Sequence, residues 1–111
     1  MILLSGFADD LDRFISEFGS IPVDIQTVTE NATEADIPEA AEMVVYVFSE
    51  DTGYSSQLHS IFTYVHDRVQ TSKEYLLALG NVDLDKSVFP EISDLPKTTP
   101  GRMKEILERA V

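Results

Sequence analysis

The chain has 111 residues, 43% hydrophobic and 25% charged, which is enough for one core and too few for two. Twenty acidic residues against eight basic ones give a formal charge of −12, which repels nucleic-acid phosphates and anionic lipid and argues against direct binding to either. Without cysteine there is no disulfide, thiolate metal site or cysteine nucleophile, and the longest apolar runs are strand-sized, too short to span a membrane.

In chain order, Met1-Ile2-Leu3-Leu4 lacks the basic region and long apolar core of a signal peptide. It reads as a first strand closing in Ser5-Gly6-Phe7, and the expected location is the cytoplasm. Leu11, Phe14, Ile15 and Phe18 recur at i, i+3, i+4, i+7 and predict a helix. Asp9 and Asp10 suit its positive end, and Gly19 suits its C-terminal stop. Val23 to Thr27 alternates like a strand with one wetter face. Asn31 to Ala41 is an acidic connection with room for a short helix, in which Pro38 is tolerated near the first turn.

Met43 to Phe48 is an unbroken apolar run of strand length, followed by the polar turn Ser49 to Gln57. Leu58, Ile61, Phe62, Val65 and Val69 then mark the longest helix. Tyr75 to Leu79 is another buried strand, ended by Gly80-Asn81. Asn81 to Thr99 is polar, carries Pro90 and Pro96, and reads as an irregular surface loop. Thr99-Pro100 opens a last helix as cap and first residue, with Met103, Ile106, Leu107 and Ala110 on its apolar face.

Strands alternating with helices predict one α/β domain over residues 1–111, a doubly wound, Rossmann- or flavodoxin-like fold with four parallel strands in the order 2-1-3-4. The topological switch then falls between strands one and three. It sets Ser5, Gly6 and Phe7 beside the Ser49–Gln57 turn, with Gly80, Asn81 and Asp83 on the same carboxyl edge.

The motifs that would make this edge an enzyme are missing. Neither Gly-x-Gly-x-x-Gly nor Gly-x-x-x-x-Gly-Lys-Ser/Thr occurs, and neither does the nucleophile elbow Gly-x-Ser-x-Gly. Thr52 to Ser56 offers amides and hydroxyls to an anion, but Glu50 and Asp51 oppose one, so Ser55 or Ser56 reads better as a helix cap. Asp9, Asp10 and Asp51 do not form the acidic cluster of a receiver domain. The aspartate pair falls past the first strand, and no lysine follows the last one. His59 and His66 are two turns apart on one helix, too distant to share a metal directly. No cofactor and no metal site are expected.

Gly53-Tyr54-Ser55-Ser56-Gln57-Leu58, entering a helix after a buried strand and Asp51, resembles the nucleoside 2-deoxyribosyltransferase pattern. There an Asp precedes Gly-Thr-x-x-Glu and an aliphatic residue, and the Glu attacks the anomeric carbon. The Met1–Phe7 opening is similar to that family's first strand, whose end shapes the nucleoside pocket. TIR domains share the architecture, and Ser49 with Tyr54-Ser55 is similar to their strand-to-helix turn. The resemblance implies a nucleoside-type pocket. Gln57, however, stands where the nucleophile belongs, and a neutral amide cannot form a glycosyl ester.

The expected function is therefore a non-catalytic module that binds a nucleotide-like ligand or a protein partner. The expected contacts are Ser5, Gly6, Phe7, Ser49, Asp51, Gly53, Ser56, Gln57 and Asn81. Two alternatives stand beside it. One is a nucleoside deoxyribosyltransferase-like or NAD glycohydrolase-like enzyme using Glu50 or Asp51. The other is an acidic inhibitor or adaptor docked on a basic protein. Net charge alone does not separate docking from solubility or salt adaptation. A homodimer through Phe62 or Tyr64 is a further option, although a core role suits those residues better.

Overall fold

The structure, a computed structural model, describes residues 1–18, 24–49, 56–80, 82, 87 and 89–109, the side chains of Phe18 and Glu34 excepted. The expected stop at Gly19, the turn residues Glu50 to Ser55, and Asn81 and Asp83 lie outside the described residues. The elements in order are β1 (Ile2–Ser5), α1 (Ala8–Phe18), β2 (Ile25–Val28), a 3-10 turn (Glu34–Asp36), β3 (Met43–Ser49), α2 (Ser56–Arg68), β4 (Glu74–Leu79), β5 (Lys97–Thr98) and α3 (Pro100–Arg109). The strands form one parallel sheet in the order β2-β1-β3-β4-β5, the arrangement of a small flavodoxin-like domain.

The sheet has five strands where the sequence predicts four. β5 is only two residues long and follows Pro96, so it carries no alternation to read. The Leu76 amide donates to the Pro96 carbonyl at 2.8 Å and holds it in place. β2 runs one residue past the expected end at Thr27, with Val28 buried and Gln26 and Thr27 exposed, as an edge strand permits. The expected short helix is a 3-10 turn ending before Pro38.

β3 shows why the order is what it is. All seven of its residues are buried. A strand covered on both faces reads as a continuous apolar run, and each large side chain buried there contributes about 1.5–3 kcal/mol. Val44, Tyr46 and Phe48 face α2 and share a cluster with Leu58, Phe62 and Val65. Met43, Val45 and Val47 face the other way, with Leu11 and Phe14 of α1 and Met103 and Leu107 of α3. Ile15 departs from the expected helical face and is 38% exposed. Thr99 caps α3, its Oγ1 accepting from the Arg102 amide at 3.4 Å. No helix among the described residues is long and apolar enough to cross a membrane.

Candidate functional site

The carboxyl edge is built from the end of β1 outward. Gly6 has φ +158°, and a Cβ placed on it would lie 2.5 Å from the Val47 carbonyl oxygen. Only glycine lets β1 turn away while its backbone rests against β3. The Gly6 amide donates to the Val28 carbonyl at 3.1 Å, and the Leu11 amide donates to the Phe7 carbonyl at 3.0 Å, so both flanks of the turn are fixed. Phe7 is half-buried against the α2-side core.

Ser5 and Ser49 are both buried here, on opposite faces of the sheet. Ser5 alternates with Leu3 and so lies on the α2 side. It is 0% exposed, and its Oγ has no hydrogen-bond partner among the described residues. Ser49 alternates with Val47 and lies on the α1 side, where its Oγ donates to Asp10 Oδ2 at 3.3 Å. Asp10 is 7% exposed and Ser49 5%. Sequence reasoning placed Asp10 at the helix start for its charge alone. Its burial against the end of β3 is a second role that helix-start chemistry does not reveal.

Glu30 is the other residue the sequence reading missed. Its Oε2 accepts from the backbone amide of Ala8, the first residue of α1, at 2.9 Å. A helix N-terminus favours negative charge, and here the protein supplies its own. Beside it, between the end of β2 and α2, lies a cleft of about 290 Å³. Val28, Thr29, Glu30, Ile37, Ser60 and Tyr64 line it, with hydroxyls and apolar groups together. The Arg68 guanidinium carbon sits 3.6 Å from the centroid of the Tyr64 ring.

Of the expected contacts, Ser5, Gly6 and Phe7 lie at the end of β1 and Ser49 at the end of β3, with Ser5 and Ser49 on opposite faces of the sheet. Ser56 and Gln57 stand exposed in the first turn of α2. Ser56 is the first helical residue of α2, and Ser55 lies outside the described residues along with Asp51, Gly53 and Asn81.

A second polar cluster lies at the amino end of the sheet. The Tyr46 hydroxyl donates to Glu74 Oε1 at 2.7 Å. His66 Nδ1 lies 3.0 Å from the same oxygen and donates to it when protonated there. Burial raises the Tyr46 phenol well above its ordinary pKa, helped by the hydrogen bond and charge of Glu74 and then by Asp67. Tyr46 is 0% exposed and stacks edge-on against Phe62 at 5.1 Å, while His66 and Glu74 close over it half-buried. His59 is set apart from His66, packed edge-on against Phe89 at 5.3 Å. No group of three potential metal ligands occurs among the described residues.

Comparisons with known protein families, with curated proteins and with solved structures give no match.

Proposed function

We propose that this domain acts by binding, and that its ligand is a nucleotide-like small molecule held at the carboxyl edge of the sheet. The observation that carries this reading is the buried Ser5 hydroxyl at the switch point, which has no partner among the described residues. An unpaired buried hydroxyl costs about 1–3 kcal/mol, so a group that bonds it gains more than it would from an exposed one. The neighbouring cleft supplies apolar walls and hydroxyls suited to a base and a sugar.

Glu30 refines the ligand's chemistry. Its carboxylate already holds the first amide of α1, so a phosphate brought to that turn meets a negative charge. The base and sugar are the recognised parts, and a nucleoside is favoured over its phosphates. The absence of a carboxylate at Gln57 supports binding without turnover.

A thermal-shift screen tests this directly, because a ligand that binds only the folded chain raises its Tm. Nucleosides should raise Tm more than the matching nucleotides, and Ser5→Ala should weaken the effect. No shift with any nucleoside would sink the proposal. Release of free base from a nucleoside or from NAD, lost on substituting Glu50 or Asp51, would instead establish the deoxyribosyltransferase-like or glycohydrolase-like alternative.

A further inference from the structure

The eight basic residues of this acidic chain are not spread evenly. Three of them, Lys97, Arg102 and Arg109, line one groove of about 380 Å³ between β5 and α3, with Tyr75 and Ile106 as apolar floor and Glu105 as the acidic residue among its described lining. Arg102, Glu105, Ile106 and Arg109 fall at helical spacing on a single face of α3. Arg102 and Arg109 are both exposed, and neither has a carboxylate within ion-pairing distance among the described residues. The groove is thus a positive strip on a molecule of charge −12, and its field selects for anions.

Geometry narrows the class of anion. Seven residues of helix separate the two arginines by about 10 Å along the axis, with Glu105 between them, so one small anion cannot engage both. An extended chain advances about 3.3 Å per residue, which sets acidic side chains two or three residues apart within reach of both guanidinium groups. The other wall of the groove is β5, the edge strand of the sheet. Nucleic acid also presents a row of anions, but the net charge of the whole domain repels it.

We propose that this groove docks an acidic, extended segment of a partner protein, which lies along β5 and sets its carboxylates against Arg102 and Arg109. Tyr75 and Ile106 pack against the methylene stems of the same acidic side chains. The surface is separate from the carboxyl edge, so ligand binding there and docking here stand or fall independently.

The test uses fluorescence anisotropy with a labelled peptide of about eight residues alternating glutamate and valine, long enough to span the groove. Saturable binding is expected, weakened at least about tenfold in Arg102→Ala/Arg109→Ala and again by high salt, because the contacts are exposed charges. Arg13→Ala/Lys104→Ala removes two exposed cations outside the groove and should leave binding unchanged. Absence of saturable binding, equal binding by the Arg102/Arg109 variant, or equal loss in the Arg13/Lys104 control would overturn the proposal. So would displacement of the peptide by millimolar inorganic phosphate, which would mark a small-anion site. Self-association of the free protein, abolished by the Arg102/Arg109 variant, would overturn it in favour of a second copy of this chain.

Discussion

At the amino end of the sheet Tyr46, Glu74 and His66 close on one another, whereas at the carboxyl end Ser5 is buried with nothing to bond. Both places remove polar atoms from water, and both sit on the α2 side of the sheet. The first spends its polar groups on itself: one carboxylate oxygen serves a phenol and an imidazole at 2.7 and 3.0 Å. Such a cluster fixes how α2 lies against β3 and β4, and it has little capacity left for a ligand. The second carries an unmet demand for a hydrogen bond. Burial of polar groups alone therefore does not mark a binding site, and the proposed site rests on burial without satisfaction.

The largest expected effect tests whether the carboxyl end is held by its backbone. Gly6→Ala sets a Cβ against the Val47 carbonyl at a φ that side chains rarely adopt. It should cost at least about 3 kcal/mol in a urea unfolding series. A loss below about 1 kcal/mol would show that the turn is not as closely seated as described.

Next in size is the amino-end cluster. Glu74→Leu leaves the buried Tyr46 hydroxyl without its acceptor and should cost about 2–3 kcal/mol, while Tyr46→Phe should cost about 1 kcal/mol. The double variant should be less destabilised than the sum of the two, because Tyr46→Phe removes the orphan that Glu74→Leu creates. Additive losses would mean that the two groups are not coupled.

The same cluster gives a pH signature. The Tyr46 phenol is raised above its ordinary 10.0, so folding favours its neutral form. That share of stability is complete below pH 10.0, where the unfolded phenol is also neutral, and it is lost as pH climbs above that value. Tyrosinate absorbance should show one of the four tyrosines failing to ionise until the protein unfolds. Tyr46→Phe should abolish the late phase.

The smallest effect on stability belongs to Ser5→Ala. It deletes a buried hydroxyl that bonds nothing, so stability should hold or rise by up to about 1 kcal/mol. Loss of ligand-induced stabilisation in a variant that folds this well would sharpen the contrast between the two ends. A clear destabilisation would break it, since it would mean that Ser5 has a structural partner.

The parts legible in the sequence are those with repeated patterns. The run Met43 to Phe48 announces a strand covered on both faces, and the order of the first four strands follows from the alternation of strands with helices. Gly6 and Ser49 are placed at one edge by topology alone. β5 escapes because two residues carry no period. Ile15 is misread because α1 turns Asp10, Leu11 and Phe14 inward and leaves the next residue, Ile15, at the rim of that face. The pairing of Tyr46 with Glu74, and of Glu30 with the start of α1, joins residues 28 and 22 positions apart. No local pattern encodes such pairs.

The central position of β3 also governs how the chain reaches this structure. Its register partners are distant in sequence: Ile2 and Met43 are 41 residues apart, and Val44 and Glu74 are 30 apart. Closing the longer loop costs only about 0.3 kcal/mol more than closing the shorter one, since the entropy grows with the logarithm of length. Chain length therefore scarcely decides which neighbour β3 finds first. The contact available does: β3 meets β4 from Val44 to Ser49 but β1 only from Met43 to Tyr46. The β3–α2–β4 unit therefore offers the longer paired surface, six residues against four for β1. With every strand pair parallel and no hairpin to zip up, refolding is paced by crossovers, at the slower rates typical of non-local topologies.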